Sequence, residues 1–116
     1  MILAIVGSRD YDDYDNFKII VKKYIKKHGT PELIVSGGAS GIDSLAEKYA
    51  KEFDIPIKIF YAKWKKYGKK AGPHRNTKIV NMSTHILAMP SKSSIGTYDT
   101  INKGKKAGLI VSIRMI

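Results

Sequence analysis

Short apolar runs and helix-spaced apolar positions alternate along the whole chain. Ile2-Leu-Ala-Ile-Val6 is continuously apolar, as expected of a strand buried on both faces. From Asp15, the residues Phe17, Ile20, Val21, Tyr24 and Ile25 recur at helical spacing, and Gly29 and Pro31 end that helix. Leu33-Ile-Val35 predicts a second strand, and Ile42, Leu45, Ala46, Tyr49, Ala50 and Phe53 predict a second helix. A third strand is predicted over 57–61. Residues 62–72 read as a long basic loop. A third helix opens near Pro73, which suits a first turn, and runs to about Met82. A fourth strand (85–89), a helix near 97–107 and a last strand (109–113) complete the pattern.

The order β-α-β-α-β-α-β-α-β predicts an α/β fold, a Rossmann-like three-layer α/β/α sandwich around a five-stranded, mainly parallel sheet. No linker, repeat or low-complexity tract interrupts it, so residues 1–116 are expected to form one domain. Right-handed crossovers put every strand-to-helix loop on the same sheet edge, where ligands bind near a topological switch point. The loops concerned are Gly7-Ser8-Arg9, Ser36 to Ser40, Ala62 to Gly72 and Pro90 to Thr97.

Charge adds a second constraint. The formal net charge is +11, from 18 Lys and 3 Arg against 10 acidic residues. Asp10, Asp12, Asp13 and Asp15 cluster near the start, whereas no acidic residue stands between Asp54 and Asp99. That basic stretch attracts polyanions or a phosphorylated small molecule, or is simply a solvated surface. No apolar run approaches the ~18 residues of a membrane span, so no membrane association is expected. The chain has no cysteine, which excludes disulfide scaffolds and thiol nucleophiles; with no secretory signal, a cytoplasmic location is expected. Three irregularly spaced histidines do not suit a zinc site; no metal or cofactor is expected.

Ser36-Gly37-Gly38-Ala39-Ser40-Gly41-Ile42-Asp43 is the strongest chemical signal. Glycines after a strand let a ligand approach the backbone, and the following helix start suits a phosphate. Ser36 and Ser40 add hydroxyls. Asp43 completes a capping-box pattern with Ser40, or accepts from a ribose hydroxyl, or orients a water as a catalytic carboxylate. Arg9 clamps a phosphate, or pairs with the neighbouring aspartates. Arg75 and Asn76 are placed in the first turn of the third helix, where a cation opposes the dipole, a local cost that points to function. Trp64 and Tyr67 among lysines read as a base-stacking lid, or as a loop docking its tryptophan on the core. Gly96 and Thr97 begin the last helix and offer a second anion nest.

These motifs, in this order, resemble the SLOG superfamily and its small YspA/YpsA-related branch: Gly7-Ser8-Arg9, Ser36 to Asp43, Ala71-Gly72-Pro73-x-Arg75-Asn76 and Gly96-Thr97. The resemblance spans nearly the whole chain. It implies a Rossmann-like sheet binding nucleotides or nucleotide-derived molecules at Gly7, Ser8, Arg9, Ser36, Gly37, Gly38, Ala39, Asp43, Trp64, Arg75, Asn76, Gly96 and Thr97. LOG-type phosphoribohydrolases carry P-G-G-x-G-T-x-x-E. Of that signature only Gly96 and Thr97 match, and Thr100 stands at the glutamate position. N-glycosidic hydrolysis then needs Asp43 or Asp99 as the replacement carboxylate. The S-G-x-A-x-G-I-D pattern and later R-N are shared with DprA/Smf proteins, which implies single-stranded nucleic acid as the alternative partner. A homodimer is a further implication, one that no interface signature in the sequence supports.

Overall fold

The first apolar run forms β1 (Ile2–Gly7), the central strand of a five-stranded sheet. The computed structural model describes all 116 residues. The other strands are β2 (Leu33–Ser36), β3 (Ile57–Ile59), β4 (His85–Met89) and β5 (Ile110–Ile113). Their spatial order is β3-β2-β1-β4-β5, and all four pairings are parallel. The fold is thus the Rossmann-like α/β sandwich that the element order predicts.

Alternation along β1 explains the two layers. Leu3 and Ile5 face one side, where they pack with Phe17, Val21, Ile42, Ala46 and Tyr49. Those partners come from α1 (Tyr14–His28) and α2 (Ile42–Glu52). Ala4 and Val6 face the other side and pack with Ile79, Val80 and Ile101. These belong to α4 (Ala71–Met82) and α5 (Ile95–Lys106). With both faces covered, the inner strands are near-continuous apolar runs, broken only by Ser36 at the end of β2 and His85 at the start of β4. None of the helices is long and apolar enough to cross a membrane.

One segment differs from its predicted form. The loop expected over 62–72 contains a single helical turn, α3 (Trp64–Tyr67), and a 3-10 turn (Gly68–Lys70) that runs directly into α4. A four-residue turn is too short to show a hydrophobic period, so the sequence carries no helix signal there. Because α4 opens at Ala71, Arg75 and Asn76 fall in its second turn rather than its first.

The chain leaves β1 toward one edge of the sheet and leaves β3 to return to the opposite side of β1. The loops after β1 and β4 therefore diverge at the sheet centre, which is the switch point where such folds open a crevice. They stay tied at their base, where the Ser8 N–H donates to the Met89 carbonyl at 3.0 Å.

Candidate functional site

A cleft of about 340 Å³ opens at this switch point. The loop after β1 supplies Gly7, Ser8 and Arg9, and the loop after β2 supplies Gly37 and Ala39. Asp43 comes from α2, Arg75 and Asn76 from α4, and Gly96 and Thr97 from α5. These ten sequence-predicted residues, separated by up to 90 positions in the chain, share one hollow. Val6, Asp10, Ile79, Ser91, Ser93, Ser94, Ile95 and Thr100 also line it, none of them among the predicted site residues. The three serines were legible only as part of a turn. Their place beside a cleft depends on strand order.

Three predicted residues lie elsewhere. Ser36 is fully buried behind the loop, its Oγ donating to the Asp43 carbonyl at 3.3 Å and approaching Glu47. Gly38 is covered by the Tyr61 ring: a Cβ there would stand 2.6 Å from Tyr61 Cε1. Trp64 is half-exposed on α3 and does not line the cleft. Tyr67 does not join it as a lid, because its ring stacks on His74 at 4.1 Å.

Two of the backbone donors of the glycine-rich turn after β2 are engaged within it. The Gly38 N–H donates to Ser36 Oγ at 3.4 Å and the Ala39 N–H to Asp43 Oδ2 at 3.1 Å. The first N–H of α2, on Ile42, donates to the Ser8 carbonyl at 2.9 Å. The predicted capping box does not form. Asp43 reaches back to Ala39, while Ser40 Oγ donates to the Arg9 carbonyl at 3.0 Å. Gly41 makes this crossing of two loops possible. Its φ is +71°, and a Cβ there would collide with the Ser8 and Arg9 carbonyls.

The start of α5, like that of α2 beyond Ile42, keeps free backbone donors. The Ile95 N–H is taken by the Ser93 carbonyl and that of Tyr98 by the Ser94 carbonyl. The N–H groups of Gly96 and Thr97, between them, have no such partner, and both residues line the cleft. Around them Ser91, Ser93 and Ser94 gather their hydroxyls, with Ser91 Oγ 3.0 Å from Ser94 Oγ.

Charge on the inner wall comes from Arg75 and Asp43, which are 8% and 7% exposed. Arg75 Nη1 donates to the Gly37 carbonyl and Nε to Asn76 Oδ1 at 2.8 Å. Asn76 Nδ2 in turn donates to the Gly96 carbonyl at 3.2 Å and to Asp99 Oδ2 at 3.0 Å. Arg75 and Asp43 form no direct ion pair; the chain's three ion pairs lie elsewhere. They flank the missing side chain of Gly37, where a Cβ would stand 2.8 Å from both Arg75 Nη1 and Asp43 Oδ2. Burial pushes Asp43 up to about 6, against the pull of the Ala39 N–H and Arg75. Burial likewise draws the Arg75 guanidinium down, opposed by Asp43. Arg9 at the mouth is exposed and pairs with none of the neighbouring aspartates.

Comparison with known proteins follows the same lines. A Mycobacterium phage D29 protein, the Gene 61 protein, is 30% identical over 115 aligned positions, which cover 94% of this chain and 92% of that one. DNA processing protein A (DprA) from Streptococcus pneumoniae superposes with a TM-score of 0.77 at 22% identity. Its Helicobacter pylori counterpart, whose structure concerns single-stranded DNA binding, superposes at 0.73 with 17% identity. Each superposition covers 97% of this chain. The chain spans about half of the Streptococcus protein (49%) and 64% of the Helicobacter one, so the shared feature is the fold. The sequence model of the YspA, cpYpsA-related SLOG family matches residues 1–67, more than half of the chain. The chain belongs to the YspA, cpYpsA-related SLOG family.

Proposed function

We propose that the cleft binds a nucleotide or nucleotide-derived ligand through its phosphate. The observation that carries this reading is the pair of unpartnered N–H groups of Gly96 and Thr97, at the positive end of α5. The serine hydroxyls beside them add donors, and Arg9 and Arg75 supply counter-charge. The phosphate sits at the start of α5 rather than on the turn after β2, whose Gly38 and Ala39 amides are already engaged. Asp43 then faces a sugar hydroxyl across the gap above Gly37. The same carboxylate is the candidate for N-glycosidic hydrolysis, in which it would stabilise charge at the anomeric carbon or activate water.

The test is an amide-resolved NMR titration with AMP and with adenosine. AMP shifts the Gly96 and Thr97 resonances, and adenosine, lacking the phosphate, does not. Equal shifts from both ligands, or none from AMP, refute the reading. Release of free adenine by the wild type, lost in Asp43→Asn, decides whether hydrolysis accompanies binding.

A second reading, single-stranded nucleic acid as the partner, is supported by the acid-free stretch between Asp54 and Asp99 and by the DNA-binding Helicobacter relative of like fold. Ionic strength separates it from mononucleotide binding, because a strand contacting several lysines releases several counterions.

A further inference from the structure

No aromatic side chain lines the cleft. A nucleotide seated there by its phosphate meets only Val6, Ala39, Ile79 and Ile95 as apolar partners. Tyr61 stands on the segment that leaves β3. It lies over Gly38, next in the chain to Gly37 in the cleft wall. The backbone of Gly38, at φ +70°, accepts the ring so closely that any side chain there would evict it. The ring is thus held on its Cδ1–Cε1 side by glycine, and Tyr61 is nevertheless 64% exposed.

Trp64 follows three residues later, at the start of α3. It is 53% exposed, and its Cη2 edge lies 3.5 Å from where a Cβ of Gly72 would stand. Apolar surface of this size normally packs inward. Here two rings stay open, each set against a glycine, Tyr61 beside the cleft wall at Gly37–Gly38 and Trp64 on α3. Lys63, Lys65, Lys66, Lys69 and Lys70 flank them in the chain, all exposed and none in an ion pair. With no carboxylate in the segment, their charge is not neutralised locally.

We infer that Tyr61 and Trp64 form a stacking platform for the bases of single-stranded nucleic acid, continuous with the cleft at Gly37–Gly38 and flanked by lysines that follow its backbone. Stacking on exposed rings tolerates any base, and loose lysines suit a flexible phosphate chain better than a unique small ligand. A folded peptide partner would need carboxylates to match the lysines and would gain nothing from bare π-faces. This inference rests on the cleft being a nucleotide-phosphate site.

Trp64 is the only tryptophan, so tryptophan emission, excited selectively over the seven tyrosines, reports the platform. The full chain is titrated with an oligothymidylate of about 12 nucleotides, within the usual site sizes, and with an abasic strand of equal length. Saturable quenching by the oligothymidylate, absent with the abasic strand, is the expected result. Tyr61→Ala weakens oligothymidylate binding roughly five- to hundredfold, while Tyr61→Phe retains it. Tyr61 is mostly exposed, and an unchanged circular dichroism spectrum verifies that the variants fold. Equal affinity for both strands, or no loss in Tyr61→Ala, overturns the platform. The amide titration separates the two readings. Shifted Gly96 and Thr97 signals without quenching remove the platform alone; quenching with both signals unmoved by AMP removes the cleft reading.

Discussion

Arg75 Nη1 donates to the backbone carbonyl of Gly37, joining α4 to the loop after β2 across the floor of the cleft. The bond fixes a buried cation where the dipole of α4 gives it no help, with Asp43 near enough to offset part of its desolvation. Arg75→Ala leaves the Gly37 carbonyl without its donor and Asp43 without its cation. A loss of roughly 2–4 kcal/mol is expected in urea unfolding, with AMP affinity falling at least tenfold. Arg75→Lys cannot serve Gly37 and Asn76 together and recovers only part of the stability. Full stability in Arg75→Ala would show the bond to be incidental.

Asp43 sets a pH dependence. Its folded value of about 6 lies above the ordinary 3.8, because burial disfavours the carboxylate. The unfolded chain releases this proton first as pH rises, so between about pH 4 and 6 the folded state holds more protons. Stability from this group is present below that window and falls as pH rises through it. Asp43→Asn keeps an acceptor for the Ala39 N–H and removes the charge. The variant is expected to be more stable at pH 7, by up to about 3 kcal/mol, with the gap closing near pH 4. Parallel melting profiles of the two proteins from pH 4 to 8 would contradict this.

Asn76 connects the walls rather than standing free in the cleft. Its amide joins Arg75, the Gly96 carbonyl and Asp99, and Asp99 pairs with Lys103 at 2.8 Å. Asn76→Ala is expected to lose about 1–3 kcal/mol in stability. AMP affinity should fall with it, because both Arg75 and the start of α5 lose a fixed point. Unaltered AMP affinity in a destabilised Asn76→Ala protein would confine the residue to packing.

Gly41 allows the loops after β1 and β2 to cross. Gly41→Ala meets the Ser8 and Arg9 carbonyls in a left-handed backbone conformation. A loss well above the ~1 kcal/mol typical of a substitution is expected in thermal unfolding, whereas Gly96→Ala, with open space at its Cβ, is nearly neutral.

Salt response ranks the ligands. AMP binding is expected to change gently between about 50 and 200 mM salt, while oligothymidylate binding weakens roughly 300-fold if about six phosphates are contacted. Equal slopes would mean that the lysines of 63–70 take no part.

Much of this was readable from local patterns. Phe17, Ile20, Val21 and Tyr24 mark the buried face of α1, and Ile2 to Val6 the central strand, because periodicity and continuous apolarity are properties of short segments. The basic tract and the motif order were likewise present in the residues alone. Packing decided the rest. Two glycine-bearing turns look alike as anion nests, at Gly37–Gly38 and at Gly96–Thr97. Only the fold brings Ser8, Ser36 and Asp43 onto the first and leaves the second open, since hydrogen-bond partners remote in sequence are assigned by strand order. Ser91 and Tyr61 gained their positions in the same way. No sequence period encodes which loops become neighbours at the centre of a parallel sheet, and that adjacency is what makes a cleft.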